Sequence, residues 1–269
     1  GLTRVRQFQQ DDCHIFLMES QIAEEVHRLL HFILGYYRTF GLTATLKFAT
    51  RPPMRVGSDE MWDRAEAALK AALDSTGMPY EFKPGDGAFY GPKIDFDVTD
   101  SLGRAWQLGT IQLDYAAPER FDMSYTGEDN TTHRPVVIHR AVSGSFERFM
   151  AILIEHFAGA FPVWLAPEQV RILPITDDLA PQAAEVTAKL RAAGIRATMD
   201  AHNDTLNYRI RQGELLKVPY MAVLGKREAE QGTLAVRMRG QGKKQDIVPV
   251  DDFIARVQDQ IRTRALELA

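Results

Sequence analysis

The chain has 269 residues, of which 45% are hydrophobic and 25% are charged, with a net charge of −4 and a single cysteine. These proportions are typical of a globular protein with one large domain or two medium-sized ones, and they exclude collagen-like, mucin-like and disordered proteins. A single cysteine excludes a disulfide framework and suits a reducing compartment. The sequence contains no run of ~18 apolar residues, so it does not predict a membrane-spanning helix.

Charge is distributed unevenly along the chain. Residues 1–167 contain 16 basic and 22 acidic residues, a net charge of −6, whereas residues 168–269 contain 16 and 14, a net charge of +2. Neither part has the basic excess of a protein that binds nucleic acid by charge alone. The chain starts at Gly1 with no initiator methionine and no targeting signal, so we expect a fragment of a longer protein.

An extended segment is predicted first, over residues 4–17. Alternate side chains of a strand point to one face, so Gln10, Asp12 and His14 should form a polar row with a spacing of ~6.7 Å. A solvent-facing edge strand would show the same alternation, and the pattern alone leaves that interpretation open. Cys13 lies between two members of the row and should face the other side of the sheet.

Two helices and a strand follow. Residues 20–40 have apolar side chains at helical spacing and predict the first helix. His27 and His31 lie four apart in it, which fits a metal pair, but no third ligand is near, and ordinary surface or packing histidines are favoured. A strand is predicted over residues 43–49, and Ser58 is predicted to cap the second helix.

Residues 88–115 predict a long β-hairpin. Gln107 and Gln112 are five apart in its second strand, which places them on opposite faces unless Gly109 hosts a bulge that brings both to one side. A strand over residues 135–143 and an apolar helix come next. Because no helix separates the long strands, they predict an antiparallel sheet.

The second part of the chain alternates short strands with helices, after a proline-punctuated joint near residues 162–168. This βαβ pattern predicts a mixed α/β sheet, so we expect two domains, residues 1–163 and 168–269. No glycine-rich nucleotide fingerprint is present. The predicted strands are 171–175, 195–199, 220–224 and 233–238, and the predicted helices are 181–193, 206–217 and one that begins near 251.

The residue types alone predict a site that binds a metal and an anion on the antiparallel sheet. The polar row of the first strand and His139 offer two imidazoles and a carboxylate, which suit Zn²⁺ or Fe²⁺. Arg4, Arg148 and the helix N-terminus at Ser145 suit a polyphosphate. An unrelated metalloenzyme with two histidines and one carboxylate would show the same residues, so this alternative stays open.

Several motifs, in order along the chain, resemble one enzyme family. Residues 4–16 are similar to the second half of motif 2 of class II aminoacyl-tRNA synthetases, and residues 144–149 are similar to motif 3. Residues 57–62, 87–93 and 138–140 resemble threonyl-tRNA synthetases in particular. The resemblance covers essentially the whole chain. It implies a partial α+β antiparallel-sheet class II synthetase catalytic core, followed by an α/β mixed-sheet anticodon-binding domain.

The resemblance also implies an activity. Such enzymes activate threonine with ATP and Mg²⁺ and transfer it to the 3′ end of tRNA(Thr). From the resemblance we also expect a cytoplasmic enzyme that does not bind membranes and that is a homodimer at full length. Family members read threonine with a Zn²⁺ bound by one cysteine and two histidines. Valine and threonine are isosteric, so a hydrophobic pocket discriminates poorly between them. A metal that binds the threonine hydroxyl rejects valine, because valine has no hydroxyl.

The family's site residues are carried over position by position. His14 and His139 match the two zinc-binding histidines, and Asp12 matches the carboxylate that holds the substrate hydroxyl. The cysteine ligand, the first motif 2 arginine and motif 1 are expected upstream of Gly1. Cys13 is a poor substitute for the missing ligand, since neighbours on a strand point to opposite faces.

The remaining assignments fall into four groups. The expected catalytic residues are Arg4, Lys93 and Arg148. The expected substrate-binding residues are Gln10, Asp12, Tyr90 and Gln112, and the Tyr90 phenol can donate a hydrogen bond. The residues expected to bind ATP are Arg4, Gln107, Ser145 and Arg148, and those expected to line one rim of the second domain and read the anticodon are Asn203, Glu228 and Arg237. A non-catalytic tRNA-binding or regulatory relative that keeps the fold is the alternative.

Overall fold

The computed structural model describes residues 1–200 and 202–269. They form two compact units: unit 1, Gly1–His156, and unit 2, Phe157–Ala269. Among the described residues, no helix is both long enough and apolar enough to cross a membrane.

Unit 1 is built on a six-stranded sheet with the strand order β1-β8-β5-β4-β2-β3. Every pairing is antiparallel except that of β2 with β3, which are joined by the crossover helix α2. A separate two-stranded ribbon is formed by β6 and β7. The elements are β1 (Gln10–Leu17), α1 (Ile22–Thr39), β2 (Ala44–Ala49), α2 (Asp59–Asp74), β3 (Tyr80–Lys83), β4 (Lys93–Thr99), β5 (Ala105–Asp114), α3 (Ala116–Arg120), β6 (Tyr125–Thr126), β7 (Thr132–His133), β8 (Val136–Ser145) and α4 (Phe146–His156).

One face of this sheet packs on α1. The apolar stripe of the helix is fully buried, and the Tyr37 hydroxyl donates to the Val142 carbonyl of β8. Gly109 makes this approach possible, because a Cβ there would lie 2.7 Å from the Tyr37 oxygen and 3.2 Å from Cγ2 of Ile33. The opposite face remains open and carries the polar side chains. Ser58 caps α2 as predicted, accepting from the Met61 backbone N–H.

The first strand is shorter than predicted, since β1 begins at Gln10 and not near residue 4. Gln10 pairs with Ser145, the last residue of β8, and β8 then turns directly into α4. Residues before Gln9 therefore have no partner strand to pair with. The sequence also gave no sign of β3, because its four residues alternate charged with aromatic side chains and are too few for a periodic signal.

Unit 2 contains a five-stranded mixed sheet with the order β10-β9-β11-β12-β13. The first three strands are parallel and the last two pairings are antiparallel. Helices α5 and α8 cover one face and α6 covers part of the other. The elements are β9 (Val170–Pro174), α5 (Ala180–Ala192), β10 (Ala197–Met199), α6 (Leu206–Leu215), β11 (Tyr220–Leu224), α7 (Lys226–Gln231), β12 (Thr233–Met238), β13 (Asp246–Pro249) and α8 (Val250–Thr263).

The bounds of β11 and β12 agree with the prediction. The short helix α7, which the sequence did not predict, joins the two strands. Gly232 ends this helix with a left-handed φ of 64°, which glycine adopts without strain. The helix α7 has only six residues, which are too few to show an amphipathic pattern from which a helix could be predicted.

Candidate active site

Two rows of side chains cross four strands on the open face of the unit 1 sheet. In the first, which we call the histidine row, Lys93, Gln112, His139 and His14 are consecutive partners on β4, β5, β8 and β1. Neighbouring strands are only ~4.8 Å apart, so each side chain lies beside the next. The backbone pairing therefore assembles residues that are up to 125 positions apart in the chain.

The second row, which we call the aspartate row, runs parallel to the first. Asp95, Thr110, Ala141 and Asp12 are consecutive partners on the same four strands. Ala141 is the smallest side chain of the eight, and it lines a cavity on this face together with Thr110. The two ends of the row are carboxylates.

The two histidines of the histidine row are in contact. Their ring centroids are 4.6 Å apart in an edge-to-face arrangement. His139 Nε2 is 2.8 Å from Oδ2 of the buried Asp114, whose other oxygen accepts from the backbone N–H groups of Ala116 and Ala117. Asp114 is therefore fixed by its own bonds, and it orients the His139 ring so that Nδ1 is the nitrogen left for a ligand.

These residues meet the requirement of a zinc site only in part. Two adjacent imidazoles supply two of the three protein ligands implied by the resemblance. The part of the chain that the structure describes contains no group of three or more histidine, cysteine, aspartate or glutamate side chains able to hold a metal. Cys13 does not complete the set, because it pairs with Arg140, whose guanidinium lies over the Phe32 ring of α1 on the other face.

Tyr90 borders the histidine row. Its ring centroid is 5.1 Å from that of His139, and its hydroxyl donates to Oε1 of Gln112. Burial raises the pKa of Tyr90 to about 12, and the carboxylates of Asp114 and Asp12 add to the effect. The phenol is therefore neutral at physiological pH and acts through hydrogen bonds.

Asp95 is a buried carboxylate of the open face that accepts several hydrogen bonds. Only 3% of it is exposed, and it accepts hydrogen bonds from Lys93 Nζ at 2.6 Å, Gln107 Nε2 at 2.7 Å and Thr110 Oγ1 at 2.9 Å. Burial raises the pKa of this carboxyl above its ordinary value, although Lys93 and Thr110 act in the opposite direction. Asp95 thus ties the histidine row to Gln107 farther along β5.

A cavity of about 510 Å³ continues the aspartate row toward the start of α4. The predicted bulge in β5 exists, since Phe96 pairs with Gly109 while Asp97 pairs with Gln107, and both Gln107 and Gln112 consequently face the cavity. All four residues assigned to ATP from the sequence lie in its wall. The lining residues are Thr3, Arg4, Val5, Phe8, Gln10, Gln107, Leu108, Thr110, Gln112, Ala141, Gly144, Ser145 and Arg148.

Arg148 is held in the cavity wall from several sides. Its guanidinium lies 5.4 Å from the centre of the Trp106 ring, and its Nε donates to the Thr3 carbonyl at 3.1 Å. Trp106 is fixed in turn, because its indole N–H donates to Oδ2 of Asp100 at 2.8 Å. Ser145 accepts from the Arg148 backbone N–H, which places the start of α4 at the cavity. The result is a cationic group positioned beside a helix N-terminus, an arrangement that suits phosphate.

The three residues assigned to the anticodon lie in unit 2, in different environments. Asn203 is exposed beyond the end of β10, and Glu228 lies in α7, where its carboxylate accepts from the Gly225 N–H. Arg237 is 8% exposed on β12; it donates to the Gly242 carbonyl at 2.9 Å and lies 3.5 Å from Glu214. Its partner in the sheet is Met221, near the beginning of β11, whereas Glu228 follows the end of that strand.

Comparison with known proteins decides the family. Residues 1–157 match the family described as tRNA synthetase class II core domain (G, H, P, S and T), and residues 169–260 match the family described as Anticodon binding domain. The chain belongs to the class II aminoacyl-tRNA synthetases. The predicted fold class is confirmed, and the alternative of an unrelated metalloenzyme is wrong.

Individual relatives agree with the resemblance to threonyl-tRNA synthetases. The chain is 53% identical to threonine–tRNA ligase of Desulforamulus reducens over 99% of its length and 51% identical to that of Symbiobacterium thermophilum over 100%. It covers 42% and 41% of those proteins, so it spans about two fifths of their length. A crystal structure described as the RNA binding domain of threonyl-tRNA synthetase from Cryptosporidium parvum has a TM-score of 0.93 at 40% identity; the match covers 100% of this chain and 66% of that one.

Three residues of the candidate site were missed from the sequence. Phe8 is 54% exposed at the cavity, and Asp95 and Asp114 organise the site without having been singled out. Asp95 had a usable signal, because it alternates with the buried Ile94 and Phe96 and so had to face the polar side of the sheet. Asp114 had none, since its role depends on a pairing between β5 and β8 that no local pattern reveals.

Proposed function

We propose that the chain is part of a threonine–tRNA ligase, which activates threonine with ATP and Mg²⁺ and transfers it to the 3′ end of tRNA(Thr). The observation that carries the proposal is the juxtaposition of the adjacent His14 and His139, which suit a substrate-reading metal, with a cavity that contains Arg4 and Arg148. Residues 1–163 and 168–269 are proposed as the catalytic and anticodon-binding domains. The full-length protein is proposed to act as a cytoplasmic homodimer.

Activation is proposed to take place where the aspartate row meets the cavity. A carboxylate oxygen of threonine attacks the α-phosphorus of ATP, and pyrophosphate leaves. Arg4 and Arg148 stabilise the negative charge on the phosphate oxygens, which Mg²⁺ also neutralises when it is bound with ATP. Gln107 is proposed to contact the ribose and adenine end, and the exposed Phe8 ring offers a face for the base. Lys93 is proposed to contact the reacting carboxylate.

Threonine is proposed to be read at the histidine row. His14 and His139 would hold Zn²⁺ with a cysteine from the part of the protein that precedes Gly1. When bound, Zn²⁺ supplies a Lewis acid for the amino and hydroxyl groups of the substrate. Asp12, two positions before His14, accepts a hydrogen bond from the substrate hydroxyl. Valine has no hydroxyl, so it leaves both the metal and Asp12 without a partner, which is the strongest form of discrimination.

An exchange assay tests this function. Full-length protein should catalyse the threonine-dependent exchange of pyrophosphate into ATP, with serine slower than threonine and valine nearly inactive. Absence of exchange in a protein that still binds tRNA would instead support the non-catalytic, tRNA-binding or regulatory relative. Equal exchange with threonine and valine would contradict the substrate assignment.

Asn203, Glu228 and Arg237 are proposed to read the anticodon. An amide offers a donor and an acceptor, a carboxylate accepts from base amino groups, and a guanidinium can bond or stack. These groups recognise the edges of single-stranded bases, which need matched hydrogen bonds more than net charge. The modest net charge of +2 over residues 168–269 is consistent with such a role.

Exchanging Arg237 for alanine tests the anticodon proposal. We expect kcat/KM for tRNA charging to fall about tenfold, because a good base contact contributes ~1–3 kcal/mol, while threonine-dependent pyrophosphate exchange stays unchanged. Arg211→Ala, which removes an exposed arginine of α6, is the matched control. Melting temperatures of both variants should be compared, since Arg237 also bonds Gly242. Equal loss of both activities, or full retention of charging, would overturn the assignment.

A further inference from the structure

A continuous chain of hydrogen bonds crosses the open face of the unit 1 sheet. The Tyr90 hydroxyl contacts Gln112 Oε1, Gln112 Nε2 is 3.2 Å from Thr110 Oγ1, and Thr110 Oγ1 is 2.9 Å from Asp95 Oδ1. Gln107 Nε2 reaches the same Asp95 oxygen at 2.7 Å. We call the four side chains from Tyr90 to Asp95 the relay. It links the histidine row to a buried carboxylate through side chains alone.

The direction of every bond in the relay follows from its buried end. Lys93 and Gln107 present nitrogen atoms to Asp95, and these nitrogens only donate, so Asp95 is held as an ionised carboxylate that only accepts. Thr110 has one hydroxyl proton, and it must give that proton to Asp95. The lone pairs of Thr110 are then left to accept from its other neighbour.

That constraint passes along the relay to Tyr90. Because Thr110 accepts, Gln112 must turn its NH₂ group toward Thr110 and its carbonyl oxygen toward Tyr90. The amide orientation, which is ordinarily ambiguous, is thereby fixed by chemistry. The Tyr90 hydroxyl has a single proton, and Gln112 receives it. The phenol oxygen, whose ring centroid lies 5.1 Å from that of His139, is then left with lone pairs only for any further partner.

We propose that Asp95 and Thr110 are positioning residues that make Tyr90 a hydrogen-bond acceptor toward the bound amino acid. Tyr90 then accepts a hydrogen bond from the substrate, for example from an N–H of its amino group, and the phenol does not donate to the substrate because its one proton is given to Gln112. Neither Asp95 nor Thr110 need touch the amino acid, since both act through Gln112. This inference rests on the proposed function, because it assigns the ligand as an amino acid.

The isosteric pair Thr110→Val and Thr110→Ser separates polarity from packing. Valine has the shape of threonine but breaks the relay, and Gln112 is then free to rotate; serine keeps the hydroxyl. In full-length protein we expect Thr110→Val to raise the KM for threonine about tenfold in pyrophosphate exchange, with the KM for ATP within about twofold of wild type. Thr110→Ser should restore the KM for threonine to within about threefold. Thr99→Val, at the exposed end of β4, is the matched control and should change neither constant.

Asp95→Asn tests the other end of the relay. Asparagine can donate as well as accept, so the fixed polarity is lost while the shape is kept. We expect a similar rise in the KM for threonine, with no additional rise in that constant when Asp95→Asn is combined with Thr110→Val. The KM for ATP should rise as well in Asp95→Asn, because Asp95 also holds Gln107. Equal defects in Thr110→Val and Thr110→Ser, a rise confined to the KM for ATP, or additive effects in the double variant would overturn the proposal.

A structural readout distinguishes failure of the relay from failure of the proposed function. Neutron diffraction from deuterated full-length protein locates the protons directly. The deuteron of Tyr90 should lie on the side of Gln112, and that of Thr110 on the side of Asp95, whether or not the protein exchanges pyrophosphate. A Tyr90 deuteron that points to His139, or a Gln112 amide turned the other way, would refute the relay even in an active enzyme.

Discussion

Replacing Arg148 by lysine is expected to lower the rate of threonine activation about 10²–10³-fold while leaving the fold intact. Lysine keeps the charge, but its ammonium group cannot bond two phosphate oxygens as a planar fork. It also cannot reproduce the present position of the guanidinium, which lies over Trp106 and donates to the Thr3 carbonyl. The rate of pyrophosphate exchange at saturating threonine and ATP, measured on full-length protein, checks the prediction.

Arg104→Lys is the matched control for this experiment. Arg104 also lies near the Trp106 ring, at 5.6 Å, but it binds Asp100 and Glu155 and is not part of the cavity wall. Arg104→Lys, which replaces an arginine beside the same Trp106 ring, should therefore leave the exchange rate near that of wild type. If Arg148→Lys retained the wild-type rate, the phosphate-binding role of Arg148 would be wrong.

The second large effect is expected at the histidine row. His139→Ala should remove bound zinc from full-length protein and lower threonine activation at least about 100-fold, because even the partners that orient metal ligands change affinity or activity ~10–100-fold. The change removes one proposed ligand and also leaves the Asp114 carboxylate without its histidine. Zinc per protomer, measured by atomic absorption, and the exchange rate should fall together.

His31→Ala provides the comparison for the zinc experiment. His31 and His27 form an exposed pair on α1, with their Nε2 atoms 3.2 Å apart, on an element outside the proposed site. Its removal should leave stoichiometric zinc and activity unchanged. Full zinc content in His139→Ala, or its loss in His31→Ala, would place the metal elsewhere in the protein.

Much of this molecule was predictable from short stretches of sequence. The bounds of β11 and β12, the cap at Ser58 and the bulge next to Gly109 all follow from signals within a few residues. Strand alternation placed Gln10, Asp12 and His14 on one face, and they lie on the open face of the sheet. The residues expected near ATP depended on resemblance to the synthetase family, and the structure brings them to one cavity.

Only the tertiary structure decided which strands pair and in which register. Register places Gln112 between Lys93 and His139, and it places Thr110 beside Asp95. It also makes β1 begin at Gln10, since β8 turns into a helix and offers no partner to earlier residues. Local sequence sets the face on which a side chain lies, because backbone sterics act between neighbours. Contacts across a sheet depend on which distant segments bury their apolar faces together, and that is a property of the whole chain.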